Sequence, residues 1–438
     1  MIWNREMECL GRAEMEKLQL ERLQATVRRA YDRVPLFRER CQERGITPDA
    51  IRTLQDLTRL PFMTKSDLRD TYPFGLFAEP LSKVVRIHAS SGTRGKPTVV
   101  GYTSGDISIW AEVCARSFCL AGGQPGDVFH NSYGYGLFTG GLGLHYGVEL
   151  AGGAVVPASV GNTARQTMLI QDLKPKGISC TPSYLLNIAD QLEAQGIDTR
   201  SVSLRYAILG AEPWSEAMRQ NLEERLDLDA VDIYGLSEVI GPGVACECAE
   251  AKQGLHVQED HFLPEVIDPA TGEPLPDGEY GELVFTSLTK EAFPVIRYRT
   301  ADIAALYREP CICGRTTVRM SRVKGRADDM LIIRGINLFP SEVEFQLLQF
   351  AELTPHYQLV VSREGALDSV LVRVEVAEAA AANWGEFTPD HPEVLSLTKR
   401  VSNHLKNYTG LTLNLELLPP ATLPRSEGKA VRVVDLRK

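Results

Sequence analysis

Apolar positions in the first part of the chain recur at helical spacing. Met15, Leu18, Leu23, Val27 and Tyr31 stand among Glu, Lys and Arg, which predicts one helix with an inward-facing stripe. From Lys83 the pattern changes to short β-branched runs, at 84–87, 127–129, 153–156, 206–209 and 231–234, separated by longer helical stretches. Strand and helix in alternation predict an α/β domain with largely parallel sheets covered by helices. Between Leu263 and Tyr307 the runs 281–285 and 294–298 follow the turn-rich Pro274-Leu275-Pro276-Asp277-Gly278, which predicts antiparallel β structure. A second shift falls at 325–329. After it come a strand-like 330–333, a helix from Ser341, strands at 356–361 and 370–376, and a helix at 394–406. That is the size of a small α+β domain. The Ala-rich patch 377–382 reads as a loop or a helix end.

A chain of 438 residues is too long for one ordinary core, so two or three domains are expected. Its 44% apolar and 24% charged residues are the balance of a soluble globular protein. The net charge of −10 supplies no basic field for nucleic acid or an anionic membrane. The opening MIWNREMECLGR lacks the apolar core of a signal peptide, and no stretch approaches roughly 18 uncharged apolar residues. A cytoplasmic protein is expected. Nine cysteines, an odd number, read as reduced thiols plus a metal site rather than a disulfide scaffold.

The most informative stretch for chemistry runs from His88 to Thr98 and contains Ser90, Ser91, Gly92, Thr93, Arg94, Gly95 and Lys96. Small hydroxyl residues and two glycines let backbone N–H groups surround a polyphosphate, and Arg94 and Lys96 add positive charge. It is not a Walker A loop, because Ser90 stands where the first Gly is needed and Pro97 where Ser or Thr follows the Lys. No complete G-x-G-x-x-G occurs, so a Rossmann dinucleotide site has no support. Taken alone, the loop reads equally well as an exposed polar turn.

It does not stand alone. In order, the chain then carries Gly210-Ala211-Glu212-Pro213, Tyr234-Gly235-Leu236-Ser237-Glu238, Tyr298-Arg299-Thr300-Ala301-Asp302, Gly325-Arg326-Ala327-Asp328-Asp329 and Ser426-Glu427-Gly428-Lys429. This ordered set resembles the adenylate-forming superfamily of acyl-CoA synthetases. Tyr133-Gly134-Tyr135-Gly136-Leu137-Phe138, Gly241-Pro242-Gly243, Glu259-Asp260-His261-Phe262 and Asp329–Gly335 resemble its phenylacetate–CoA ligase family in particular.

The resemblance implies a large N-terminal adenylate-forming domain, 1–327, with mostly parallel sheets and a β-rich lobe. A small mobile α+β C-terminal domain, 328–438, would follow it. Ser90 to Lys96 would hold the β- and γ-phosphates of ATP, with Arg94 where relatives usually have Thr. Ala211, Glu212 and Pro213, with Asp232, Ile233 and Tyr234, would line the adenine and acyl sites. Glu238 would ligate Mg²⁺, a hard cation that bridges phosphates through carboxylate oxygen. Asp302 would accept both ribose hydroxyls. Ala301 replaces the usual Gly before it, at little cost unless the backbone there needs a positive φ. Arg326 would approach the ribose or α-phosphate, Asp328 would be the hinge, and Lys429 would bridge carboxylate and α-phosphate during adenylation. Tyr133, Phe138, Gly140, Gly141, Ile233 and Pro242 are candidates for the wall of an aryl pocket, though any one of them equally suits ordinary packing.

Cys246, Cys248, His256, Cys311 and Cys313 crowd into the β-rich segment and its approach, and Cys311-Ile312-Cys313-Gly314 resembles a zinc knuckle. Four ligands close a tetrahedral Zn²⁺ shell. The family resemblance implies Cys248, His256, Cys311 and Cys313, with Cys246 spare and the metal structural; buried reduced cysteines without metal are the alternative. The activity implied is ATP-dependent ligation of an aryl acid, phenylacetate first, to coenzyme A by a homodimer. Another aryl acid such as indoleacetate or a benzoate, a carrier-protein loader, and a nucleotide-binding protein without catalysis are the rivals. The presence of Lys429, Glu238 and Asp302 together argues against the last.

Overall fold

A computed structural model describes residues 1–89, 97–326, 331–333, 336–364, 367–385, 387–425 and 431–437. The opening helix spans Arg12–Arg33 and buries Met15, Leu23 and Val27, with Leu18 and Tyr31 half-buried at the margins of the stripe. Gln19 and Thr26 also turn inward. They donate to the carbonyls of Glu259, at 2.9 Å, and Leu288, at 2.8 Å. Apolar periodicity cannot reveal such anchors, because their inward position is set by a backbone partner distant in sequence.

The main sheet has nine strands, ordered Leu306–Tyr307, Arg319–Met320, Leu255–Val257, Gly241–Glu247, Asp229–Leu236, Tyr206–Gly210, Gly177–Cys180, Val128–Asn131 and Ala154–Val156. The strands from Ala154–Val156 to Asp229–Leu236 are parallel, and every pairing beyond Asp229–Leu236 is antiparallel. The α/β reading therefore holds for one half of the sheet. Its outer strands are short, three residues at Ala154–Val156 and two at Leu306–Tyr307. Gly177–Cys180 lacks a β-branched run and leaves little strand signal. It is nonetheless buried throughout, and a Cβ on Gly177 would lie 2.2 Å from the Tyr206 ring.

The β-rich lobe is a four-stranded antiparallel sheet, Phe262–Ile267, Gly281–Ser287, Tyr298–Ala304 and Gly325–Arg326. The strand expected at 294–298 begins only at Tyr298. Before it the chain bends: Arg297 has φ 47°, and its guanidinium reaches the Glu265 carboxylate at 3.0 Å and the Thr58 carbonyl at 2.7 Å.

A separate core occupies the C-terminal part. The strands Asn414–Leu418, Leu367–Val376, Leu353–Glu364 and Val433–Asp435 form one sheet in that order, antiparallel in the middle and parallel at both edges. The helices Pro340–Leu347 and Pro392–Thr409 flank it. Val394, Leu397, Val401 and Leu405 form the buried stripe of the longer helix, which covers the helix expected at 394–406. Ala377–Ala382 falls largely in a helix, Glu378–Trp384. The fold is thus a large N-terminal domain with mixed sheets and a small α+β domain. Among the described residues, no helix is long and apolar enough to cross a membrane.

Candidate active site

Strand register builds the centre of the site. Asp302 on Tyr298–Ala304 lies directly opposite Arg326 on Gly325–Arg326, and Arg326 Nη1 donates to Asp302 Oδ1 at 3.1 Å. Tyr234, near the end of Asp229–Leu236, donates its hydroxyl to Asp302 Oδ2 at 2.6 Å. Both oxygens of one carboxylate are therefore aligned by groups from two sheets. Burial, together with Asp302, pushes the Tyr234 phenol well above its ordinary range, so it stays a donor.

Glu238 is buried in the turn after the same strand, 8% exposed. The Tyr298 hydroxyl faces its carboxylate, and Tyr298 also adjoins Asp302 and Arg326. Beneath Glu238 lies Lys290, 1% exposed, whose Nζ donates to the Glu238 carbonyl at 3.1 Å and sits 4.9 Å and 5.0 Å from the ring centres of Tyr102 and Phe293. Burial brings this ammonium down to about 8, against the pull of Asp106 and Glu238. Sequence reading missed Lys290 and the role of Tyr298. Lys290 is an isolated lysine in a turn, and only the fold turns it inward.

Glu212 Oε1 accepts the Ser183 N–H at 2.8 Å, in the first turn of the helix Pro182–Ala194, where a carboxylate suits the helix dipole. Ala211 beside it has φ 69° and Ala301 has φ 65°. The Ala301 substitution is therefore not neutral: the backbone does adopt the left-handed conformation, which costs a non-glycine residue about 1 kcal/mol. Asp232 is half-buried and pushed upward by loss of solvent, while Arg322 Nε, 3.2 Å away, works in the opposite direction.

The aryl-pocket candidates divide. Tyr133 is buried, and its hydroxyl is spent on the Cys180 carbonyl at 2.7 Å. Gly141 packs where a Cβ would lie 2.7 Å from the Gly134 carbonyl oxygen, and a Cβ on Gly140 would meet the Phe138 ring at 3.2 Å. Phe138 itself is 43% exposed. Ile233 crosses the end of Tyr206–Gly210, against Gly210. The Pro242 carbonyl accepts Trp110 Nε1 at 3.0 Å, so the fully buried Trp110 packs behind Pro242. Ser90, Ser91, Gly92, Thr93, Arg94, Gly95 and Lys96, with Pro213 exposed at the rim, Asp328 and Lys429, complete the expected set. Of these, Ser90 to Lys96, Asp328 and Lys429 lie outside the described residues.

Away from this cleft, Cys248, His256, Cys311 and Cys313 bring their ligand atoms within 4.8 Å of one another. Cys248 Sγ lies 3.7 Å from Cys311 Sγ, and Cys313 Sγ 3.4 Å from His256 Nε2. His256 Nδ1 is engaged by Thr317 Oγ1 at 2.9 Å, which orients the ring as a metal ligand requires. Cys246 points elsewhere, 3.8 Å from the Ser117 carbonyl.

The chain matches the AMP-binding enzyme family over residues 64–289 and the AMP-binding enzyme C-terminal domain over 335–437. It is 54% identical over 446 aligned residues to the phenylacetate-coenzyme A ligase of Thermus thermophilus, covering all of both chains. A solved 2-hydroxyisobutyryl-CoA ligase in its post-adenylation state, complexed with an acyl-AMP, superposes with a TM-score of 0.92 at 28% identity, over 99% of this chain and 92% of that one. The same ligase in its thioesterification state, with CoA, gives 0.71 over the same shares. Fold and site together define an adenylate-forming enzyme of the acid–thiol ligase class. Within that class the chain belongs to the phenylacetate–CoA ligase family.

Proposed function

We propose that the enzyme joins an aryl acetic acid, phenylacetate first, to coenzyme A, and that the residues gathered above act as follows. Asp302, preset by Tyr234 and Arg326, accepts the ribose hydroxyls of ATP. Ser90 to Lys96 hold the β- and γ-phosphates, with Arg94 an added cation. Ala211, Glu212, Pro213, Asp232, Ile233 and Tyr234 frame the adenine, and Tyr133, Phe138, Gly140, Gly141, Ile233 and Pro242 the aryl ring. Glu238, buried with its carboxylate toward Tyr298, holds Mg²⁺, which when bound neutralises the phosphates.

A carboxylate is a poor electrophile, so one of its oxygens attacks the α-phosphorus and the bond to the β-phosphate oxygen breaks. Pyrophosphate leaves and acyl-AMP remains. Lys429 balances the charge that develops on the α-phosphate. Rotation of residues 328–438 about Asp328 then admits CoA, whose thiolate attacks the acyl carbon and expels AMP.

Four converging donors, two of them buried and one oriented by Thr317, support structural Zn²⁺ at Cys248, His256, Cys311 and Cys313. A homodimer, implied by the family resemblance, and the cytoplasmic location expected from the sequence complete the reading. The observation that carries the choice of acid is the full-length identity to a phenylacetate-coenzyme A ligase. Pyrophosphate exchange over a panel of aryl acids tests it: phenylacetate should give the highest kcat/KM, and a clear preference for a benzoate or indoleacetate would replace it.

A further inference from the structure

The turn 237–240, which joins Asp229–Leu236 to Gly241–Glu247 and carries Glu238, is held from behind by side chains of two other segments. Lys290 Nζ donates to the Glu238 carbonyl at 3.1 Å, and the Tyr102 hydroxyl to the Ile240 carbonyl at 3.0 Å. Trp110 Nε1 takes the Pro242 carbonyl just beyond the turn. These donors pack on one another. The Tyr102 and Trp110 rings stack with centroids 5.2 Å apart, Lys290 lies over the Tyr102 face, and all three residues are at most 1% exposed. The main chain beside Lys290 is fixed in turn, because Asp106 accepts the Glu291 N–H at 2.6 Å and the Ala292 N–H at 3.0 Å. Asp106 belongs to the capping box that opens the helix Ser104–Leu120, so this anchor sits on a rigid helix end.

A buried ammonium costs free energy unless an anion or a full set of hydrogen bonds matches it. Among the described residues, the one hydrogen bond of Lys290 Nζ is that to Glu238, and the rings of Tyr102 and Phe293 flank it. A methionine would fill the same slot between the two rings without the cost of burying a charge. What only the ammonium adds is a charge-assisted bond to the backbone of Glu238. That bond goes to the main chain, so it fixes the residue without occupying its carboxylate. We infer that Lys290 is a positioning residue for Glu238: with Tyr102 it holds the turn 237–240 so that the Glu238 carboxylate is presented to Mg²⁺. The inference rests on the assignment of Glu238 to the metal proposed above.

The test measures binding of α,β-methylene-ATP to full-length enzyme by calorimetry, once with Mn²⁺ and once with no divalent cation. Lys290→Met should weaken binding of the Mn²⁺ complex by on the order of tenfold, as loss of a hydrogen bond from a charged donor does, and leave metal-free binding within about twofold of wild type. General loss of packing would weaken both alike. In a Glu238→Gln background the same change should have little further effect, because the route through Glu238 is already gone. Tyr102→Phe, which removes only a hydroxyl, should weaken the Mn²⁺ complex in the same sense and serves if the Met variant does not fold. Unchanged or tighter Mn²⁺ binding in the folded variant, an equal loss without metal, or a loss that persists in full beside Glu238→Gln would overturn the positioning role while leaving Glu238 as the metal ligand. Glu238→Gln that binds the Mn²⁺ complex as tightly as wild type would take down the metal assignment and this inference together.

Discussion

Ala301 and Lys290 show how much energy single residues at this site hold. Ala301 sits at φ 65° one position before Asp302, where a Cβ is tolerated rather than favoured. Ala301→Gly should raise stability by up to about 1 kcal/mol, since relief of the left-handed strain is partly offset by the flexibility glycine adds to the unfolded chain. Ala301→Val should lower it by more, and denaturant midpoints compare all three. Lys290 makes a prediction in pH. Its folded-state value, about 8, lies below the 10.5 ordinary for lysine, so between those values the unfolded chain binds the extra proton. Stability contributed by this site therefore rises from about pH 8 to about pH 10.5, by at most roughly 3 kcal/mol. Below pH 8 burying the charge costs the full amount. The difference in melting temperature between wild type and Lys290→Met should change across that window and be flat from pH 6 to 7.5; a flat difference throughout would mean that Lys290 stays charged. Neither residue was legible in this sense. The sequence shows that Ala301 is not Gly, but only backbone geometry shows that Gly was needed.

Elements were more legible than their edges. The strand at 206–209 was readable because both faces are buried and the run is continuously apolar, and that at 231–234 because the buried Val231 and Ile233 alternate with the half-buried Asp232 and Tyr234, whereas Gly177–Cys180 was hidden by its glycine and small polar residues. The antiparallel lobe announced itself through its turn, yet the start of Tyr298–Ala304 was displaced by the inward bend at Arg297. The cysteine knuckle was readable from spacing, and the choice between Cys246 and Cys248 is decided by the strand pleat. Neighbouring positions two apart share a face only while the strand continues, and Cys248 lies just past Gly241–Glu247. A closed four-ligand shell there should hold about one zinc per chain and brace the antiparallel end of the main sheet. Cys311→Ser or Cys313→Ser should lower the melting temperature by several degrees while the KM for ATP in the folded fraction stays near wild type. Protein purified without chelator that carries no zinc by elemental analysis would remove the site.

At the scale of the molecule, the two half-reactions ask for two arrangements of the same domains, and only one is seen here. Lys429 is proposed to serve the first of them. Lys429→Ala should reduce acyl-AMP formation by on the order of a hundredfold or more, as loss of a charge-stabilising donor does, and spare transfer from preformed acyl-AMP to CoA. Equal loss of both steps in folded protein would count against the assignment. The short margins of the main sheet have a different consequence. A strand of three residues at one side and of two at the other offers almost no backbone for a neighbouring chain to extend. On the lobe, the longer outer strand Phe262–Ile267 is already occupied by its own turn, with Leu275 N–H donating to the Val266 carbonyl at 2.8 Å. Subunits that pair along the main sheet or the lobe are thus steered toward side-chain contacts between helices and loops, and these two sheets offer little template for cross-β aggregation.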